Sequence, residues 1–374
     1  MLLLLTGAGH VDGRMLRCDV AGSPFIDALS ATLRRDPAVR AHVATPGQPL
    51  PPELVDAATS GGVLVADADV WFSPAAADAL LHAAGPLRVT FGGDTLAVHL
   101  PAADAPAIAG RALPARAAEV ALPAASMDVD ASMIDEADAP VRVRNLADLA
   151  VCEAAILRGR AVDAALAGVR IRDLGSVRIR GELRCGEGVE IDANVIIQGK
   201  VVLGDGVKIG ANCILTDAAI GDGCDIRPFT TVENASVGAG TFVGPYARLR
   251  PGAVIGERSQ IGNFVEIKNS DVGPGSRINH MAFVGDATLG PRVTLGAATI
   301  TCNHNGTTVA RTVIGEGAYV GSGTMLVAPV EIGENAMVGA GSTISKDAPP
   351  GKLTLARAKQ VTVPGWNPAG QEPK

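Results

Sequence analysis

Aliphatic residues recur along this chain with a step of six. Ile191, Ile197, Leu203, Ile209 and Leu215 open the series, which resumes at Ile220, Ile226 and Val232. It runs on through Val237, Val243, Leu249, Ile255, Ile261 and Ile267, then Val272, Ile278 and Val284, then Leu289 and Leu295. After an interruption, Ile314, Val320, Leu326, Ile332, Val338 and Ile344 keep the register. Small or turn-forming residues follow the aliphatic one, as in LGDG, IGAN and IGEN. Neither the helical nor the strand period produces a step of six. The pattern instead predicts a triangular solenoid over residues 176–346. Each hexad makes one short strand and one tight corner, and three hexads complete a coil. The aliphatic side chain fills the lumen, the corner's Gly, Asn or Asp accepts unusual backbone angles, and backbone hydrogen bonds run between coils.

Sustained this long, the hexapeptide pattern resembles that of the left-handed β-helix acyltransferases, which implies a left-handed parallel β-helix. Steps of five, as from Leu215 to Ile220 and from Ile267 to Val272, read as corners shortened by one residue. The larger break between Leu295 and Ile314 runs through TCNHNGTTVART. An added loop on a solenoid serves a partner or a binding site. The tail, residues 347–374, is proline-rich and is expected to run extended.

Upstream, residues 141–169 have helical spacing and composition, with Asn145 as N-cap and Gly168 as stop. Residues 114–139 are rich in Ala, Pro and Asp and read as a connecting segment, so that residues 114–175 form a linker and helix. Residues 1–113 alternate apolar runs with helical stretches: MLLLLTGAG as strand and turn, FIDALSATLRR as helix, GGVLVADADVWF as strand, PAAADALLHAAG as helix. That order predicts a small α/β domain ahead of a mainly β chain.

Composition narrows the function. Aromatic residues make up 3% of the chain against 47% hydrophobic residues in all, which suits a narrow core of small branched side chains. A net charge of −7 gives no general attraction to nucleic acid or to anionic lipid, so an anionic substrate needs local basic residues. The N-terminal apolar run is too short for a signal-peptide core and no run approaches a membrane span, so a cytoplasmic protein is expected. The six cysteines show no metal-ligand spacing and read as small core residues.

Five motifs carry a more specific resemblance: VGPYARLRPGAVIG, IGNFVEIKNS, ITCNHNGTT, VGSGTMLVAPVEIG and VGAGSTIS. In this order and spacing they resemble the acetyltransferase half of the bifunctional N-acetylglucosamine-1-phosphate uridyltransferase/glucosamine-1-phosphate acetyltransferase family. The resemblance covers residues 141–366. It implies acetyl-coenzyme A as co-substrate, a homotrimer with sites between subunits, and no metal in acyl transfer. It implies His280 as general base with Glu266 beside it, and Arg250 and Lys268 as phosphate ligands. An Arg fork and a Lys point charge suit a sugar phosphate. Asn303 corresponds to a contact with the substrate amine. Ser322, Ala340 and Arg357, with Ala297 at the loop's approach, correspond to acetyl-coenzyme A contacts. Ser322 is placed to donate to the thioester oxygen.

The departures fall on the acceptor side. Phe283 stands in place of a Tyr, Thr294 of an Asn, His304 of a Tyr and Val309 of a Lys, with Arg311 two positions on as a candidate substitute. The N-terminal part departs further. LLTGAGHVDGR keeps turn glycines Gly7 and Gly9 of a nucleotide-binding loop without its basic residues, and VADADVWF resembles the strand ending in the family's metal-binding Asp, here Asp69. A shrunken, inactive nucleotidyltransferase fold is expected. Together these features predict an N-acetyltransferase for glucosamine 1-phosphate or a close amino-sugar phosphate. The alternatives are acylation of a different amino sugar or of a nucleotide-linked amino sugar, and a non-catalytic trimeric scaffold or ligand-binding protein.

Overall fold

The structure, a computed structural model, describes residues 140–364 and 366 with one gap at 365, and before them residues 2–6, 19–20, 23–24, 27, 39–44, 48–91, 94–106, 113–114, 116–120, 122–123 and 126–130. The chain divides into two compact units, residues 1–167 with 174–182, and residues 168–173 with 183–374.

The second unit is a left-handed parallel β-helix. Every aliphatic residue of the six-residue series is buried, from Ile191 to Ile344. Eleven short strands, from Arg170–Ile171 to Leu353–Thr354, stack in parallel as the first face. The other two faces belong to one seventeen-stranded sheet. They are joined because Ile196–Leu203 runs through a corner and pairs with Ile214–Thr216 on one face and Ala219–Ile220 on the next. The second face continues through Arg248–Leu249, Glu266–Lys268, Phe283–Gly285 and Ile300–Cys302. The third face carries Ser270–Val272, Ala287–Leu289 and Thr312–Ile314. The TCNHNGTTVART loop therefore leaves the solenoid at the corner between the second and third faces.

The repeat's glycines do two jobs. In LGDG, Gly206 has φ +65, the left-handed corner conformation expected from the pattern. Gly204, directly after the aliphatic residue, is needed for a different reason: a Cβ there would lie 2.7 Å from the backbone nitrogen of Asp222 in the next coil. Coil spacing, rather than backbone angle, excludes a side chain at that position.

In the first unit, six strands order as Arg40–Val43, Leu2–Thr6, Val63–Asp67, Asp94–Leu100, Leu87–Phe91 and Met127–Asp130. Asp94–Leu100 is antiparallel to both neighbours. GGVLVADADVWF makes two strands, Val63–Asp67 and Val70–Trp71, with Ala68 and Asp69 between them. Helices Pro52–Gly61 and Pro74–Leu81 accompany the sheet; Gly7, Gly9 and nearly all of FIDALSATLRR fall outside the described residues. Met127–Asp130, inside the segment read as a connection, adds a sheet strand parallel to Leu87–Phe91. Its alternation is masked in sequence by the Pro and Asp around it. Helix Leu146–Leu166 starts as expected: the Asn145 side chain accepts from the backbone N–H groups of Ala147 and Asp148.

Cys152, Cys213 and Cys224 are buried, whereas Cys185 and Cys302 are half-buried; Cys18 is outside the described residues. Burial pushes the Cys152 thiol up to about 12 and the Cys213 thiol up to about 11, so both stay protonated core residues. Among the described residues no helix is long and apolar enough to cross a membrane.

Candidate active site

The corner between the first and second faces gathers one set of the expected residues. Asn263 and His280 are register partners in adjacent coils. The ladder climbs from there by backbone hydrogen bonds: Met281 N–H to Asn263 O at 3.0 Å, Ala298 N–H to His280 O at 3.2 Å, Gly323 N–H to Ala297 O at 2.7 Å, and Gly341 N–H to Ser322 O at 2.8 Å. Asn263, His280, Ala297, Ser322 and Ala340 thus form one file along the corner, one residue per coil. Arg357 closes its upper end, its guanidinium donating to Ala340 O at 3.0 Å. Thr294 lies on the first face between Arg277 and Tyr319, half-buried.

His280 is exposed, and its Nδ1 lies 2.7 Å from Asn263 Oδ1. An acceptor on Nδ1 requires the proton there, so the neutral ring carries its lone pair on Nε2. The partner expected for His280 was Glu266. The structure corrects this: Glu266 faces from the second face, past the corner, and its Oε1 accepts from Arg250 Nη1 at 2.7 Å. Both Arg250 and Glu266 are about one-third exposed, so this bond is open to exchange with an incoming anion. Asn263 was in view within IGNFVEIK, but its role depends on the coil that stacks His280 on it.

A second set gathers along the opposite margin of the second face. Arg250 and Lys268 stand one coil apart, since Leu249 pairs with Ile267 and Lys268 with Gly285. Phe283 is the register partner of Glu266. A Cβ on Gly285 would meet the Phe283 ring at 2.6 Å and Asn303 Nδ2 at 3.0 Å, so the ring and the amide converge over this glycine. Asp286 is the buried centre of the corner. Its carboxylate accepts from Asn269 Nδ2 at 2.6 Å and from Asn303 Nδ2 at 2.5 Å. Burial alone would raise the Asp286 pKa. The bonds from Asn269 and Asn303, with the charges of Lys268 and Arg311, outweigh it and hold the pKa below the usual carboxylate range. The stability this adds is present above the ordinary carboxylate pKa and is lost only as pH falls through the depressed folded value.

The inserted loop folds back on itself, with Ala310 N–H donating to Asn303 O at 2.8 Å and His304 bridged to Val309. His304 Nδ1 accepts from the Gly306 N–H at 3.0 Å, within the loop. Arg311, considered as a substitute for the Lys missing at Val309, is engaged on the third face. It donates to Asp271 Oδ2 at 2.9 Å, Thr288 Oγ1 at 2.8 Å and Ala287 O at 3.0 Å. The two sets are separated by the three residues that cross the second face, roughly 10 Å at about 3.3 Å per residue.

Metal chemistry at Asp69, in the first unit, does not fit. Both Asp69 oxygens accept from Arg116 and Arg142 at 2.9–3.2 Å, and Asp67 beside it is bound by the same two guanidiniums. Among the described residues no cluster of three or more His, Cys, Asp or Glu is arranged to hold a metal ion.

Residues 311–346 match the family model "Bacterial transferase hexapeptide (six repeats)", and residues 179–280 match that of the GMPPB C-terminal domain. The hexapeptide match lies within the solenoid. The chain is 47% identical over 238 residues to the bifunctional protein GlmU of Chromobacterium violaceum, covering 64% of this chain and 52% of that one. It is 49% identical over 199 residues to the GlmU of Ralstonia pickettii, covering 53% and 44%. Over the matched stretch the chain is similar to these GlmU proteins, and it spans about half the length of the curated relatives it matches. Among solved structures, the UDP-N-acetylglucosamine acyltransferase from Campylobacter jejuni is 19% identical over 50% of this chain and 70% of that one, with a TM-score of 0.33.

Asn263→Ala is expected to lower turnover by roughly tenfold, the size of effect typical when the partner that orients a functional histidine is lost. The Michaelis constants for both substrates should hold. Steady-state kinetics showing unchanged turnover would mean that the 2.7 Å contact does not set the tautomer.

Proposed function

We propose that the β-helix transfers an acetyl group from acetyl-coenzyme A to the amine of glucosamine 1-phosphate or a closely related amino-sugar phosphate. The observation that carries this reading is the single file of His280, Ala297, Ser322 and Ala340, with the tautomer of His280 set by Asn263. His280 Nε2 takes a proton from the substrate ammonium, and the freed amine attacks the thioester carbonyl. Ser322 donates to the carbonyl oxygen as it becomes an oxyanion. The carbon–sulfur bond breaks, the proton on His280 passes to the departing thiolate, and a second proton leaves the nitrogen to solvent as the neutral amide forms. Arg250 and Lys268 anchor the phosphate, with Arg250 exchanging its bond to Glu266 for one to the phosphate. The test is thiol release from acetyl-coenzyme A with a panel of amino sugars. Release with no member of the panel would favour a non-catalytic scaffold.

The active assembly in this reading is a homotrimer, because His280 and the Asn303 loop lie on opposite margins of one face and a neighbouring copy brings the two margins together. Light scattering should give three times the chain mass; an active monomer would sink this part.

A different amino-sugar acceptor is favoured by one specific arrangement. Phe283 offers no hydroxyl, Val309 no charge, and Arg311 is held by Asp271 on the third face. A hydrogen bond to a charged group contributes roughly 1.5–3 kcal/mol, so the two absences together raise the Michaelis constant for glucosamine 1-phosphate by roughly hundreds to tens of thousands of times. The double variant Phe283→Tyr, Val309→Lys should lower that constant. An unimproved double variant beside an already efficient wild type would show a pocket rebuilt around the same substrate. Reaction only with another amino sugar would replace the phosphate-anchored reading.

A further inference from the structure

We infer that Arg116 and Arg142 take the place of a divalent cation between Asp67 and Asp69, leaving the first unit with a metal-independent ion-pair lock. Four separate segments meet there. Leu2–Thr6 supplies the Thr6 hydroxyl, which donates to Asp67 Oδ1 at 3.1 Å, and Ala117 N–H donates to the same oxygen at 2.8 Å. Asp67 Oδ2 accepts from Arg116 Nη1 at 3.1 Å and Arg142 Nη2 at 3.1 Å. Asp69 Oδ1 and Oδ2 accept from Arg142 Nη1 at 2.9 and 3.0 Å, and from Arg116 Nη1 at 3.2 Å each. All four carboxylate oxygens are therefore engaged, and the charges of two aspartates and two arginines cancel.

The arrangement is built rather than incidental. Asp67 is 1% exposed and Asp69 7% exposed, so their charges need permanent partners. Arg142 is fixed by its backbone, since Val141–Arg142 pairs antiparallel with Val70–Trp71, three residues past Asp67 and next to Asp69. Arg116 is delivered by the turn leading into the short helix Ala117–Glu119, where Ala117 is fully buried. A guanidinium offers a planar fork that matches a carboxylate at two points, which a point-like cation cannot do while also spanning two aspartates through two forks. A metal ion entering here would have to expel both arginines from buried carboxylates. The segment read from sequence as a connection is thereby fastened to the sheet by charge.

The test uses the full chain and Mn²⁺ as probe. The free Mn²⁺ paramagnetic resonance signal should be undiminished by wild-type protein. Uptake that survives Asp69→Asn lies elsewhere and agrees with the inference, whereas uptake abolished by Asp69→Asn overturns it. With UTP, Mg²⁺ and N-acetylglucosamine 1-phosphate, pyrophosphate release should stay at background; robust release overturns it too. For the lock itself, Asp67→Asn alone should lower the unfolding temperature by on the order of 10 °C, because it leaves half-buried guanidinium charge uncompensated. Asp67→Asn combined with Arg142→Gln should recover most of that loss. Additive losses from the two substitutions would show that the groups are not coupled, and the inference would fall.

Discussion

His280→Ala is expected to lower turnover by about 10²–10⁴-fold while coenzyme A binding survives, the range typical for loss of a general base. That loss corresponds to about 2.7–5.4 kcal/mol of barrier at ~1.36 kcal/mol per tenfold. The expectation rests on geometry. Asn263 Oδ1 holds the Nδ1 side of the ring at 2.7 Å, and the exposed ring presents Nε2 outward from the corner. Without that base, an amine must reach the thioester already deprotonated, and at neutral pH most of it is ammonium. Turnover of the variant should therefore rise with pH more steeply than that of the wild type. In the proposed reading coenzyme A binding is separable, because Ala297, Ser322 and Ala340 occupy the coils above, tied by backbone bonds that the side chain of His280 does not make. Single-turnover thiol release and calorimetric titration with coenzyme A read the two effects apart. Near-normal turnover in this variant would assign His280 a structural role and return the proton transfer to solvent.

Gly262→Ala should be the most damaging single methyl group near the site. Its Cβ would lie 1.9 Å from the carbonyl oxygen and 2.6 Å from the carbonyl carbon of Asn279, both backbone atoms of the next coil. Side chains can rotate away from such a contact, but a coil paired on both sides cannot. Gln260–Asn263 is paired with Phe242–Val243 below and Arg277–His280 above, so the displacement passes along the ladder. Overpacking of this kind costs about 1–3 kcal/mol and sometimes more, and a backbone clash belongs at the upper end. Because Asn263 and His280 are the next residues along both strands, turnover should fall together with stability. Gly85→Ala is the control: nothing lies within 4 Å of its Cβ position, and it should be tolerated within about 0.5 kcal/mol. Chemical denaturation measures both; equal stability of the two variants would show that coil spacing relaxes freely.

The lumen of the β-helix was legible residue by residue, because a six-residue aliphatic step has one physical solution: every position from Ile191 to Ile344 in that series is buried. The start of the helix at Asn145 was legible for a similarly local reason, since a cap is satisfied by its own next turn. What the sequence could not contain was which of the candidate residues touch. Residues in neighbouring coils are mostly seventeen or eighteen positions apart, and twenty-five across the inserted loop, so the partner of a side chain is set by coil length and corner placement. His280 therefore meets Asn263 rather than Glu266, Glu266 meets Arg250, and Asn303 is clamped by Asp286. Arg311 is turned to the third face for the same reason: the loop rejoins the solenoid beyond a corner, beside Asp271. In the first unit the separation is greater still. Arg142 and Asp67 are 75 positions apart, with no local pattern connecting them, and only the packed sheet brings two arginines onto two aspartates and decides that the acidic pair is neutralised from within.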